Sequence, residues 1–163
     1  MSILKALPDD LVEIVYLVKV CDLEMSLKGC IHLKLIIPKL QNYIDNGNVF
    51  IYKKNEVTLG MIVFQTDPPQ EHENINWKFN EKQVLNVENI VIHHFWQKKG
   101  IEDELLQFAE TFAHDNNFKA IRLDAYAIDE YIVDLYKKKN YQKAGEIFFP
   151  FQKTPFICFE KKL

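Results

Sequence analysis

Cysteine is scarce in this sequence, glycine and proline are hardly more frequent, and neither sign of charge prevails. The three cysteines, Cys21, Cys30 and Cys158, stand at scattered spacing with no Cys-x-x-Cys pair. That argues against a disulfide framework and against the usual cysteine-based zinc modules. Free thiols fit a reducing compartment, so a cytoplasmic location is expected. Five glycines and six prolines leave little room for a long linker and none for a collagen-like repeat. The longest apolar stretch, residues 11–20, is broken by Glu13 and Lys19 and is too short to cross a bilayer. Residues 1–5 lack the cationic start and apolar core of a secretory leader. The 20 basic and 23 acidic residues give a net charge of −3, without the basic excess of a nucleic-acid binder. Neither nucleic acid nor a membrane is expected as a partner. No metal is expected either: the pair His93-His94 cannot chelate if adjacent strand residues point to opposite faces.

What the chain has in quantity is apolar and aromatic bulk, with 48% hydrophobic residues, 12 Phe and 7 Tyr. Its 163 residues suit a single domain over 1–163, which buries about 70% of its unfolded surface without a metal or disulfide. Pro8-Asp9-Asp10 opens a helix, because proline suits its first position and carboxylates suit its positive end. Leu11, Ile14, Val15 and Val18 then share one helical face. A short strand over 3–7 precedes this helix, and a second helix is expected over 38–45, ended by Asn46-Gly47. From Asn48 the period becomes that of strands: runs at 49–52 and 60–64, joined through 53–56, form a hairpin. Asp67-Pro68-Pro69 and the polar residues that follow cannot sustain a ladder and make a loop. A strand over 84–92, a helix bearing Ile101, Leu105, Phe108, Ala109 and Phe112 on one side, and a strand over 119–124 make a βαβ unit. A helix over 129–139 and strands over 145–149 and 156–160 complete a mixed α/β sheet.

The most informative segment is where the strand ending at Ile92 passes through Gly100 into the next helix. Unpaired N–H groups at a helix start attract phosphate, although any strand-to-helix turn can contain a glycine. Gln97-Lys98-Lys99-Gly100-Ile101-Glu102 resembles the Q/R-x-x-G-x-G/A acetyl-CoA loop of the GNAT N-acetyltransferase superfamily. The resemblance continues through 105–110 and 120–124. It reaches Leu135-Tyr136-Lys137-Lys138-Lys139-Asn140-Tyr141, which is similar to the family's LYxKxGF segment, and residues 154–163 resemble the last strand of a bacterial branch.

This resemblance implies the GNAT fold: a mixed, mostly antiparallel sheet with a central βαβ unit whose two parallel strands splay apart. It implies acetyl-CoA as co-substrate and a small-molecule or peptide amine as acceptor, the amine attacking the thioester directly. The pantetheine arm would lie on the backbone of Ile90, Val91 and Ile92. The pyrophosphate would sit on the loop that begins at Gln97, against the N–H groups of Lys98, Lys99, Gly100, Ile101 and Glu102. Tyr136 matches the tyrosine that protonates the leaving thiolate, a role for which a phenol suits; its bland reading is a core aromatic. Glu88 is the carboxylate nearest the cleft and the candidate base; its bland reading is a solvated strand residue.

Three positions depart from the family pattern. Glu102 stands where glycine or alanine lets the backbone approach the pyrophosphate, unless its carboxylate turns outward as a favourable first-turn charge. Asp129 stands where asparagine often follows the fifth strand, and Asn140 replaces a glycine in a way a left-handed cap tolerates. The first two disfavour an anionic cofactor. Two readings therefore stay open: an acetyl-CoA-dependent N-acetyltransferase, or a GNAT-fold protein with a degraded CoA site acting as a binding or regulatory module. Phe148, Phe149, Phe151, Phe156 and Phe159 serve either a homodimer interface or the core.

Overall fold

The computed structural model describes residues 2–30, 33–65, 68–150 and 152–163; Asp67 and Phe151, named above, lie outside them. Two compact units make up the chain, the first from residues 1–64 and 89–109, the second from 65–88 and 110–163. Eleven longer elements alternate through them: β1 (Ser2–Lys5), α1 (Leu11–Leu27), α2 (Leu40–Asp45), β2 (Val49–Lys54), β3 (Val57–Gln65), β4 (Val84–Ile92), α3 (Ile101–Asp115), β5 (Ala120–Tyr126), α4 (Glu130–Lys138), β6 (Gln142–Ile147) and β7 (Phe156–Lys162). The strand order is β1-β2-β3-β4-β5-β7-β6. All pairings described are antiparallel except β4–β5, which is parallel. This is the mixed sheet with a central βαβ unit that the sequence led one to expect.

In the first unit, Ile14, Leu17, Val18 and Cys21 of α1 pack into one core with Leu40, Ile44, Val49, Ile51, Met61, Val63 and Val91. The helix is less one-sided than its sequence implies, because Val12, Tyr16, Leu23 and Leu27 stay exposed. Its N-terminus is stabilised by the backbone of Leu7, whose N–H donates to Asp10 Oδ2 at 2.8 Å. The β2–β3 hairpin turns on two residues, Asn55 and Glu56, both with left-handed backbone (φ 50° and 65°). A two-residue turn of that hand matches strand twist. The ladder therefore runs on to Lys54 and Val57, past the runs 49–52 and 60–64.

In the second unit the β4–β5 ladder covers Val84–Asn86 against Ala120–Arg122. It ends there, although within this unit β4 continues to Glu88 and β5 to Tyr126; this is the expected splay. β5 is instead paired along its whole length with β7, from Ala120↔Lys162 to Tyr126↔Phe156. Alternation gives β5 two faces. Leu123 lies opposite Phe159, and Phe159 takes the edge of Tyr136 from α4 at 5.7 Å.

The other face is polar. Arg122, the one arginine in the sequence, lies opposite Glu160 and donates to its Oε2 at 3.0 Å with both side chains buried. Residues 72–79 cover this face: Trp77 stacks on the guanidinium at 4.3 Å, the Phe79 carbonyl accepts from Arg122, and Lys78 N–H donates to Glu160 Oε1 at 2.9 Å. Gly145 admits Ile75 here, whose Cδ1 would stand 2.7 Å from any β-carbon at that position. β6 starts three residues earlier than the sequence suggests and ends at Ile147, because β7 offers a pairing edge that extends to Gln142↔Glu160.

Candidate functional site

The loop between β4 and α3 belongs wholly to the first unit. After Ile92 a short turn, His94–Trp96, carries the chain away from the sheet. The rings of His93 and His94 stack at 4.5 Å. They do not point to opposite faces, since the strand has already ended. Burial and the neighbouring His94 hold His93 below the usual imidazole range. Lys98 and Gly100 then take left-handed backbone (φ 59° and 93°). Glycine adopts this freely, whereas lysine is strained by about 1–2 kcal/mol. Nothing lies within 4 Å of the place where a β-carbon on Gly100 would stand, so the loop has open space above it. Trp96 lies beneath the Lys54 and Lys99 ammonium groups, 4.5 and 5.1 Å from its centroid.

Glu102 decides the chemistry of this loop. Its side chain does not turn outward: it is 3% exposed and folds back so that Oε1 accepts the Lys98 N–H at 2.8 Å. The strained Lys98 is thereby anchored, and Oε2 is buried without a hydrogen-bond partner. A carboxylate of the chain itself thus occupies one backbone amide of this loop.

The remaining candidates are placed as follows. Gln97 Nε2 donates to the Ile92 carbonyl at 3.2 Å and to Glu24 of α1 at 3.3 Å. Cys21 Sγ donates to the same carbonyl at 3.2 Å, with burial and Glu24 pushing its thiol up to about 12. Both lone pairs of that oxygen are engaged, so the Ile92 carbonyl has none left for a further donor. Glu88, Asp129 and Tyr136 belong to the second unit. Glu88 is partly buried on β4. Asp129 caps α4, its Oδ1 accepting from Ile132 N–H at 3.2 Å, a role the sequence reading missed although an acidic residue just before a periodic helix signals it. Tyr136 is 4% exposed and packs on Phe159 and on Tyr141 at 5.8 Å. Tyr141 donates to Glu110 at 3.1 Å, and burial, then that carboxylate, raise its phenol well above the usual range.

A model of the acetyltransferase (GNAT) family matches residues 18–141, from α1 to the end of the segment after α4. This chain belongs to that family. Among relatives, the uncharacterized N-acetyltransferase YesJ of Bacillus subtilis (strain 168) is 26% identical over 103 residues, which is 63% of this chain and 57% of YesJ. The match thus spans little more than half of that relative. Among solved structures, a GNAT-family acetyltransferase from Streptococcus agalactiae 2603 superposes with a TM-score of 0.81 at 15% identity, covering 99% of this chain and 95% of the other. The PaiA N-acetyltransferase of Thermoplasma acidophilum, solved in complex with coenzyme A, gives 0.71 at 16% identity, covering 99% and 98%. At such identities these structures establish the GNAT fold.

A phosphate group brought to this loop would meet the Glu102 carboxylate. Two unit charges about 5 Å apart repel by roughly 3 kcal/mol at an effective dielectric near 20. Losing the Lys98 anchor offsets part of that gain. Glu102→Ala is therefore expected to tighten coenzyme A binding about ten-fold in calorimetric titration, and equal or weaker binding would show that the carboxylate is no competitor.

Proposed function

We propose that this protein transfers an acetyl group from acetyl-CoA to the amine of a small molecule or a peptide. The observation that carries this reading is the Lys98–Glu102 loop at the start of α3, an amide-lined anion holder in a chain of the GNAT family. Ile90, Val91 and Ile92 belong to the strand assigned to the pantetheine arm. Gln97 ties the start of the loop to Ile92; Lys99, Gly100, Ile101 and Glu102 present N–H groups to the pyrophosphate, and the Lys98 N–H joins them once Glu102 gives it up. Lys98 and Lys99 add positive charge there. Asp129 holds the start of α4, the helix that bears Tyr136. Glu88 is the proposed base that takes the amine proton, directly or through water. The amine nitrogen then bonds to the thioester carbonyl carbon, the carbon–sulfur bond breaks, and Tyr136 protonates the departing thiolate.

The family match runs through both units, which supports reading 1–163 as one domain. The binding-module alternative is not favoured: Glu102 stands against an anion in this loop, but the family match runs through it. Among the described residues no helix is long and apolar enough to cross a membrane. Three buried free thiols support a reducing, cytoplasmic setting, and a homodimer through the last strands is part of the same proposal. The test is a thermal melt with 1 mM acetyl-CoA. Ligand at about 100 times its Kd adds ~2.7 kcal/mol, a rise of roughly 5–10 °C for a chain this size. An unmoved melting temperature rules the enzyme reading out.

A further inference from the structure

On the polar face of the second unit lies a cluster that the acetyl-transfer proposal does not use. We propose that His72, Asp124 and Cys158 form a binding site for a thiophilic divalent ion of the zinc type. One donor atom from each lies within 4.8 Å of the other two. No sequence spacing reveals the site, because tertiary pairing makes it: Asp124 of β5 and Cys158 of β7 are register partners, and the Gln70–Asn74 turn sets His72 over them. Asp124, a carboxylate, can only accept, so His72 Nε2 donates to its Oδ2 at 2.8 Å. An ion at this cluster takes the place of that hydrogen bond: the imidazole proton moves to Nδ1, and the Nε2 lone pair faces the ion with Asp124 and Cys158.

Two atoms of the cluster are left over. His72 Nδ1 and Asp124 Oδ1 are both buried with no hydrogen-bond partner, His72 being 7% exposed and Cys158 wholly buried. Asp124 Oδ1, a buried carboxylate oxygen with no partner beside a thiol, is what a cation supplies with one, and His72 reaches that cation through Nε2. The donors are also held in place: Trp77 meets the His72 ring edge-on at 5.4 Å, and its Nε1–H donates to the His72 carbonyl at 3.2 Å.

Sulfur, imidazole and a single carboxylate select zinc or cobalt over magnesium or calcium, which require oxygen ligands. Three protein ligands leave a fourth position for water. Burial, then the neighbouring Asp124 carboxylate, raise the Cys158 thiol well above its usual range. On loading, the S–H bond breaks, a sulfur–metal bond forms, and the proton leaves to solvent.

The experiment is an anaerobic titration of the full, untagged chain with Co²⁺. A sulfur-to-cobalt charge-transfer band saturating at one equivalent and removed by Zn²⁺ is expected. Cys158→Ser should abolish the band and Cys21→Ser should keep it. Because Cys158 is deeply buried, His72→Gln is measured beside it with circular dichroism as the folding control, and should weaken Co²⁺ binding about ten-fold or more. No band in the folded wild-type chain, a band surviving in Cys158→Ser, or unchanged affinity in folded His72→Gln overturns the proposal.

Discussion

Arg122→Ala is expected to lower the melting temperature by about 10 °C. Arg122 is 2% exposed and its partner Glu160 6%. Alanine there removes the guanidinium from Glu160 Oε2, from the Phe79 carbonyl and from the face of Trp77. The Glu160 carboxylate stays buried with the Lys78 N–H as its recorded donor. Breaking a buried pair from one side costs about 3–5 kcal/mol, mostly because a desolvated charge is left uncompensated. For a chain of this length each kcal/mol is worth roughly 2–4 °C. Removing both charges, Arg122→Met with Glu160→Leu, should recover much of the loss, since an apolar pair of similar volume carries no desolvation cost. If the double substitution is as unstable as Arg122→Ala, packing by the guanidinium and not charge pairing is what matters. A melting temperature within a few degrees of wild type for Arg122→Ala would sink the argument altogether.

The second large effect concerns rate. Tyr136→Phe should lower kcat for acetyl transfer at least ten-fold, because one positioned general acid contributes about 10²–10⁴-fold. KM for acetyl-CoA should change little, a split that marks an interaction made in the transition state. The ring itself would remain against Phe159 and Tyr141, so the comparison isolates the hydroxyl. An unchanged kcat leaves Tyr136 as packing and ends its assignment as proton donor.

Much of the fold was legible because hydrophobic period is local. The strand over 84–92 and the helix from Ile101 were found nearly to the residue, and the chain leaves that helix with Asn117 in left-handed backbone at φ 62°. The errors lie where long-range pairing extends an element. The β2–β3 ladder closes on Asn55-Glu56, and β6 begins at Gln142 because β7 pairs it there. The face placement of His93 and His94 differs from expectation for a related reason: alternation holds only inside a strand, and this one ends at Ile92.

The few glycines and weak net charge gave the sequence reading its sharpest point, Gly100 followed by Glu102, within the span the family model matches. Sequence alone determined the order of elements, the GNAT membership and the conflict between an acidic side chain and an anion loop. Only the tertiary structure decided how that conflict is arranged, with Glu102 turned in and bonded to Lys98 N–H. It alone brought Arg122 to Glu160 and His72 to Asp124 and Cys158. The physical reason is range. Turn chemistry and periodicity act over a few residues, whereas a buried polar partner is chosen by strand register and by the loop that covers the face, across 38 residues for one pair and 52 for the other.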